Sequence, residues 1–402
     1  MSVFYRNVPL LTTTQALMMS GNSLLVAISA LTGHHLATDK SLATLPLAAQ
    51  FIATMLTSIP AAMLMARIGR KQAFMAATSL GMSGALLATY AILNGSFWLF
   101  TLATMLIGAF NGFGNYYRFA AADSVDAGQK ARAISWVMAG GVIAAIVGPN
   151  LARYSRDLLE NAPFAGSFAA LFTLYVISLA VLGFLALPAK PADEMNAPAT
   201  PARPLVEIAR QSKFIVALIC GMLGYGVMSL VMTATPLAMH HHHHVFDDTA
   251  FVIQWHVLGM FAPSFFTGRL ISRWGLINIM LTGALLGLAC VGINLIGTSV
   301  WHFWLALLLL GISWNFLFIG ATTLLTETYH AEERARTQAV NDFAVFTAVA
   351  LSSLSAGYLQ HQFGWQAVNI GVIPLLMIIL LSLVWLRIRP AETVQSAPEA
   401  GS

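Results

Sequence analysis

Two asparagines lie in the middle of long apolar stretches of a 402-residue chain. Asn111 and Asn315 carry side-chain amides, which both donate and accept hydrogen bonds. Such groups need a partner in apolar surroundings, so a facing pair could bind one polar solute. The alternative is a hydrogen bond between helices, worth about 0.6 kcal/mol on average. Gln15, Asn22 and Tyr225 are further candidates to line the same site.

Gln50 and His256 lie in apolar segments, about 10 Å below one end of each segment at 1.5 Å per residue. Gln50 is a candidate solute ligand. His256 could exchange a proton near neutral pH and so couple solute movement to a proton gradient. Its alternative is a neutral imidazole that hydrogen-bonds a neighbouring helix. Trp314 could stack against a planar solute, although packing is the commoner role of a tryptophan.

Asp342 lies about two turns inside an apolar segment, where an unpaired carboxylate is costly. It could be a proton site or an intracellular gate. Alternatively it forms an ion pair with Arg118, Arg132 or Arg336, which are predicted at similar depth. Arg118 itself could contact an anionic group of a solute through a bidentate fork, or extend to lipid headgroups.

Histidines cluster after two apolar segments. His34 and His35 follow one of them, and the run 240–244, with Asp247 and Asp248 behind it, follows another. Imidazole and carboxylate suit Zn, Ni or Cu, so transport of a transition metal is an alternative function. Consecutive histidines in a loop have no fixed coordination geometry, and we assign no metal ligand and no cofactor.

The composition requires lipid around most of the molecule. Only 9% of the residues are charged and 58% are hydrophobic, whereas a soluble domain carries about 25% charged residues. Crossing a bilayer takes about 20 apolar residues, and twelve segments (spans 1–12) meet that length. They lie at 9–32, 42–65, 72–93, 97–120, 131–153, 165–187, 213–238, 249–271, 276–297, 301–325, 336–359 and 366–388.

Lysines and arginines are concentrated on one side of these spans. With both termini inside, only Lys40, Arg153 and Arg156 fall on the periplasmic side. This asymmetry follows the positive-inside rule and predicts a bacterial inner-membrane protein with both termini cytoplasmic. It also explains the pI of about 9.2 without a nucleic-acid partner.

A proline-rich stretch divides the spans into two sets of six. We expect an N-terminal six-helix bundle at 1–187, a cytoplasmic linker at 188–212, a C-terminal six-helix bundle at 213–389 and a disordered tail at 390–402. The chain is therefore predicted to be an all-α membrane protein.

The two sets of spans repeat at an offset of about 205 positions. Arg67, Gly69, Arg70 and Lys71 after span 2 are matched by Arg273 and Gly275 after span 8. The same offset aligns Asn111 with Asn315, Gln50 with His256, and Asp123 with Glu327. We expect the last pair to be gate or helix-end residues. Two related bundles in parallel orientation follow from these matches.

Here the chain resembles the major facilitator superfamily over nearly its whole length. The stretch Arg67-Ile68-Gly69-Arg70-Lys71 is similar to the signature loop of that family, and Gly148-Pro149 to the motif of many of its antiporters. The sequence departs from these patterns at Ala62 and Ala66 in the first, and at Ala152 and Arg153 in the second.

The resemblance implies two pseudo-symmetric six-helix bundles with spans 1, 4, 7 and 10 around a central cavity. It implies a secondary transporter that carries a small organic solute by alternating access. No phosphate loop is present, so we expect proton coupling instead of ATP hydrolysis. The sequence shows no nucleophile–base or metal-ligand set at helical spacing, so we expect no enzymatic activity. We also expect a monomer in the bilayer. A non-transporting sensor or scaffold of the same fold is the alternative.

Overall fold

The computed structural model describes residues 3–125, 130–159, 162–187, 203–330 and 333–389. These residues form α-helices joined by short turns, and no strand occurs among them. In chain order the helices are α1 Val3–Leu36, α2 Leu45–Ile68, α3 Arg70–Leu93, α4 Phe97–Gly114, α5 Tyr117–Ala122, α6 Lys130–Ser155, α7 Ala165–Gly183, α8 Leu205–Ala209, α9 Ser212–His241, α10 Phe246–Phe261, α11 Ser264–Trp274, α12 Leu276–Ile296, α13 Val300–Thr326 and α14 Arg334–Ile388.

The helices of the described residues provide the twelve predicted spans. Ten of them are long and apolar enough to cross a membrane alone, and α10 with α11 forms one more span bent by 45°. The apolar part of α14 has 53 residues, about 80 Å of helix against a hydrocarbon core of about 30 Å. Gly364 breaks it with φ of 78°, a conformation that glycine adopts readily. The two parts of α14, 334–363 and 365–388, are therefore spans 11 and 12.

Spans 4 and 8 are each built from two helices, although the sequence predicted single segments at 97–120 and 249–271. Span 4 consists of α4 and α5, and span 8 of α10 and α11. The break in span 8 falls at Ala262-Pro263, because proline lacks the amide hydrogen that a continuous helix needs.

The predicted linker and tail lie mostly outside the described residues, at 188–202 and 390–402. The remainder of the predicted linker contains α8, and α9 begins at Ser212. The domain boundaries themselves remain predictions.

Glycines bring the helices of the first half close together. A Cβ at Gly108 of α4 would lie 2.1 Å from the backbone carbonyl oxygen of Gln50 in α2. A Cβ at Gly148 of α6 would lie 2.5 Å from the carbonyl oxygen of Ser20 in α1. At these positions the absence of a side chain lets the backbones of neighbouring spans come into direct contact.

The two halves contact each other mainly through two helix pairs. Helix α6 packs against α10, and α2 packs against the first part of α14. Each pair joins one helix of the first half to one helix of the second. Where these helices touch along their length therefore shows which side of the interface is closed.

Candidate functional site

Three amides of the first half meet at one point. The side-chain oxygen of Asn22 in α1 accepts a hydrogen bond from the Nδ2 of Asn111 in α4 at 2.6 Å. It accepts a second from the Nε2 of Gln50 in α2 at 3.1 Å. We call Asn22, Gln50 and Asn111 the amide triad. The sequence proposed all three as solute ligands, but the bond of Gln50 to Asn22 was not predicted.

The amide triad leaves hydrogen-bonding groups unused. Gln50 and Asn111 are 3% and 5% exposed, and their carbonyl oxygens have no hydrogen-bond partner in the described part of the chain. Asn22 is half-buried and is the accessible member. Buried carbonyl oxygens are usually paired, so two unpaired ones in a single cluster are typical of a ligand site more than of a packed core.

Close packing of α4 on α2 positions the triad. The hydroxyl of Thr54, one turn after Gln50, lies 2.9 Å from the carbonyl oxygen of Gly108. Because Gly108 has no side chain, α4 can approach α2 closely. This approach brings Asn111, one turn after Gly108, within hydrogen-bonding distance of Asn22, which also binds Gln50. Gln15 is buried two turns before Asn22 on the same face of α1, and forms no hydrogen bond with another described residue.

Aromatic rings gather in the second half. The ring of Tyr225 lies 5.2 Å from Trp314, 5.5 Å from Phe318 and 6.5 Å from Phe346. Trp314 and Phe318 are stacked at 4.9 Å with planes 9° apart, and Phe261 lies 6.1 Å from Trp314. We call these five residues the aromatic cluster. The sequence singled out Tyr225 and Trp314, whereas the phenylalanines carried no signal that separates them from packing residues.

The aromatic cluster reaches the interface between the halves. A Cβ at Gly141 of α6 would lie 2.7 Å from the ring of Phe261. Met55 of α2 contacts Thr347 of α14, next to Phe346, with 3.6 Å between its sulfur and the threonine hydroxyl. Helix α2 also carries Gln50, so a helix of the amide triad touches a helix of the aromatic cluster.

Asn315 has a different environment from Asn111, although the repeat aligns them. Its Nδ2 donates to the Met260 carbonyl oxygen at 2.6 Å and lies 2.7 Å from the Ser264 hydroxyl. Its Oδ1 accepts from the Thr267 hydroxyl at 2.7 Å. All three partners flank the break between α10 and α11. These bonds favour the alternative in which Asn315 holds helices together and does not bind solute. Asn315 stabilises the bend between α10 and α11.

His256 is fully buried between α10 and α13. Its Nδ1 lies 2.8 Å from the Leu307 carbonyl oxygen, and its Nε2 has no partner in the described residues. This is the hydrogen bond to a neighbouring helix that the sequence left as the alternative. The structure places His256 in the second half and Gln50 in the amide triad, so the two aligned residues do not share a site.

Asp342 and Arg118 approach each other from opposite halves on the predicted cytoplasmic side. Asp342 is exposed inside span 11, which requires water and not lipid around its carboxylate. Arg118 is close enough to interact with it electrostatically, yet no ion pair joins them. Arg336 instead donates to the Arg203 carbonyl oxygen at 2.6 Å. The side chain of Arg132 lies outside the described residues.

The signature loop and its repeat share a backbone conformation. Gly69 and Gly275 adopt φ of 85° and 86° at the ends of α2 and α11. Arg70 forms an ion pair with Asp123 at 2.6 Å, and Lys71 donates to the Gly183 carbonyl oxygen at 2.6 Å.

The corresponding residues of the second half use other partners. Glu327 pairs with Lys213 at 2.6 Å, and the Arg273 guanidinium lies 5.9 Å from the ring of Trp274. Arg67 is exposed. Asp123 and Glu327 therefore each bind a cation of their own half.

The interface is closed on the predicted periplasmic side. Arg153 forms an ion pair with Asp247 at 2.6 Å, and the Asn150 amide donates to Gln254 at 2.8 Å. The amide nitrogen of Gly357 in α14 donates to the Thr44 hydroxyl at 3.0 Å. Among the described residues, every hydrogen bond between the halves lies at the middle of the spans or on this side. With the exposed Asp342 on the opposite side, the arrangement is inward-facing for the predicted orientation.

Histidines line a cavity of about 500 Å³ at this closed side, including His34, His35, His240 and His244. In the described ranges no three His, Cys, Asp or Glu side chains come together as a metal site. The transition-metal alternative thus gains no support from the geometry.

Comparisons with known proteins agree with this geometry. The family model of the Major Facilitator Superfamily matches residues 10–288 and 217–401. The riboflavin transporter RfnT of Brucella anthropi is 43% identical over 392 residues, covering 98% of both chains. The uncharacterized MFS-type transporter YddS of Bacillus subtilis is 26% identical, over 79% of this chain and 76% of its own.

A solved structure shares the fold. The crystal structure of the nucleoside transporter NupG superposes with a TM-score of 0.69 at 14% identity, covering 94% of this chain and 99% of the other. The twelve spans, the two related halves and the sequence matches lead to one assignment: the chain belongs to the major facilitator superfamily of membrane transporters.

Proposed function

We propose that the protein transports riboflavin by alternating access, with the amide triad and the aromatic cluster as its binding site. The observation that carries this proposal is the 43% identity to a riboflavin transporter over 98% of both chains. The matched 392 residues span both halves, which supply the two walls of the proposed site.

The chemistry of the two walls suits riboflavin. Its isoalloxazine is a flat system of three fused rings, and aromatic pairs contribute about 0.5–1.5 kcal/mol beyond their buried area. The stacked rings of Trp314 and Phe318, with Tyr225 beside them, offer such a surface in the second half. The amides of Asn22, Gln50 and Asn111 offer hydrogen bonds in the first half. Gln15 extends this polar lining along α1.

We further propose an inner-membrane protein with both termini cytoplasmic, driven by protons. The distribution of lysine and arginine supports the orientation. Asp342, exposed inside a span, and His256, buried with one unpaired ring nitrogen, are the proposed proton-carrying groups. Imposed proton gradients of either sign distinguish proton-driven import from export.

Uptake of labelled riboflavin into proteoliposomes tests the proposal. We expect uptake by the wild type and a loss of about tenfold in apparent affinity for Trp314→Leu, because the stacking surface is removed. Trp365→Leu, at a buried tryptophan that packs on Phe303 away from the site, is the matched control. Absence of riboflavin flux under every imposed gradient would refute riboflavin as the solute. Absence of flux across a broad panel of solutes would favour the non-transporting alternative.

A further inference from the structure

The amide triad has the free hydrogen-bonding groups to recognise an imide. We propose that it binds the imide edge of the flavin ring, the run of carbonyl, N3–H and carbonyl at the polar end of isoalloxazine. This inference rests on the proposed function and assigns to the triad a defined part of the substrate.

The free groups of the triad are two carbonyl acceptors, both N–H donors of the Asn22 amide, and the second N–H of each of the other two amides. Asn22 uses its oxygen for both internal bonds, and its Nδ2 donates to no other described residue. Gln50 Oε1 and Asn111 Oδ1 are the acceptors, both on side chains more than nine-tenths buried. An imide edge presents an N–H donor between two carbonyl acceptors, so its carbonyls can accept from the N–H groups of the triad while its N–H donates to one of the two free oxygens.

Access to the triad runs through Asn22. This residue is half-buried, whereas Gln50 and Asn111 lie behind it. A ligand carbonyl that accepts from Asn22 Nδ2 brings the neighbouring N3–H toward the two unpaired acceptors. Since these acceptors have no protein partner to give up, the new bond is gained without breaking an old one.

The aromatic cluster explains why the ring, and not the ribityl chain, meets the triad. Stacking on Trp314 and Phe318 keeps the plane of the ring beside the second half. The ring then crosses the interface edge-on, and its polar edge points to the first half. The Met55–Thr347 contact between α2 and α14 keeps these two walls adjacent.

Replacing the imide hydrogen by a methyl group tests the inference. Riboflavin and N3-methylriboflavin are compared as competitors of labelled riboflavin uptake in proteoliposomes. For the wild type we expect the methyl analogue to compete roughly 10- to 100-fold more weakly, because it leaves the buried acceptors unpaired and adds bulk against them. In Asn111→Ala the difference should fall to about threefold, since the methyl group gains room and an acceptor is gone.

Asn294→Ala is the matched control. Asn294 is a buried asparagine of α12 that donates to Asn369 at 2.8 Å, and its replacement should leave the discrimination at the wild-type level. Lumiflavin, which keeps the imide and lacks the ribityl chain, should compete with the wild type and lose potency in Asn111→Ala. Variants are compared only when their thermal unfolding in detergent stays near that of the wild type. The wild-type comparison of the two flavins needs no variant.

The outcomes separate this inference from the proposed function. Riboflavin uptake with equal competition by N3-methylriboflavin overturns the imide assignment and leaves riboflavin transport standing. An Asn111→Ala effect on riboflavin but none on lumiflavin also overturns it, since the triad would then contact the ribityl chain. Absence of uptake of any flavin overturns the proposed function itself.

Discussion

The guanidinium of Arg153 lies 2.6 Å from the carboxylate of Asp247 and joins the two halves on the predicted periplasmic side. Arg153 stands where the antiporter motif that the sequence resembles has a glycine, so a packing position has become a charged contact. The bond from Asn150 to Gln254 continues this contact one turn deeper. Both contacts must break before the protein can face outward.

Arg153→Gln should shift the protein toward the outward-facing state. An exposed ion pair contributes about 0.2–1 kcal/mol, so we expect a population change of roughly 1.4- to fivefold that disappears at high salt. The measurement uses a cysteine at Ala30, which is buried where α1 meets Leu237 of the second half. Because this position becomes accessible only when the periplasmic side opens, a thiol reagent should label the cysteine faster in Arg153→Gln than in the wild type. The native Cys220 and Cys290 are buried and give little background.

Asp157→Asn is the control for this experiment, because Asp157 pairs with Arg156 in its own half. The exchange Arg153→Asp with Asp247→Arg should restore the slow labelling. Equal labelling of the wild type and Arg153→Gln at low salt would show that the pair does not hold the interface closed.

Asp342→Asn should have the opposite effect on the same label. When the predicted cytoplasmic side closes, Asp342 and Arg118 come together from the two halves, and their attraction stabilises the outward-facing state. Removing one charge should therefore slow the labelling of a cysteine at Ala30 by a few-fold. Glu327→Gln, which breaks an ion pair within one half, should leave it unchanged. Faster labelling in Asp342→Asn would contradict this role as a gate.

Asn315→Leu should destabilise the fold more than it changes riboflavin affinity. The substitution removes the side-chain partner of the Met260 carbonyl and of Ser264 at the break in span 8, and leaves the Thr267 hydroxyl only its bond to the Pro263 carbonyl. We expect a loss of about 1–3 kcal/mol in the free energy of unfolding, measured by denaturation in detergent. Asn94→Leu, at an exposed asparagine bonded to the Tyr90 carbonyl one turn earlier, is the control. A stable variant that no longer binds riboflavin would instead make Asn315 a ligand.

Glu333 anchors the end of the predicted linker and gives it a pH dependence. The Arg203 guanidinium donates to both of its oxygens, at 2.8 and 2.7 Å, and holds the pKa of Glu333 at about 2. A lowered pKa in the folded state means that the stabilisation is complete above the ordinary pKa of about 4.3 and is lost as the pH falls toward 2.

Glu333→Gln should therefore unfold at a lower temperature than the wild type at pH 7, and the difference should begin to shrink below about pH 4, on the way to convergence near pH 2. Thermal unfolding between pH 7 and pH 3 measures this difference. Glu207→Gln, at an exposed residue of α8, is the control. A difference that stays constant over this range would exclude an ionised pair as its cause.

The span architecture could be predicted from the sequence because lipid imposes simple conditions. A helix must be apolar over about 20 residues to cross, so hydropathy alone placed α12, predicted at 276–297 and found at Leu276–Ile296. The offset between halves likewise predicted that Gly69 and Gly275 would correspond, and both have the same positive φ.

The partners of the polar side chains could not be predicted in the same way. A span that is apolar all round has no amphipathic face, so its sequence does not show which side meets which neighbour. Asn111 and Asn315 illustrate this, because their environments depend on the adjacent span. Pro263 breaks span 8 and creates free groups for Asn315, whereas Thr57 occupies the corresponding position of an unbroken α2. The position of an asparagine in the repeat therefore indicates its depth in the span but does not identify its hydrogen-bond partners.

The single residue that separates the last two spans bears on how the chain enters the membrane. Helix α14 turns at Gly364 with scarcely any loop, and beside it the polar exposed residues are His361, Gln362 and Gln366. Too little polar chain is present to hold the turn at the surface while one span waits for the other. We expect the insertion machinery to release residues 334–388 into the bilayer together, as one helical hairpin.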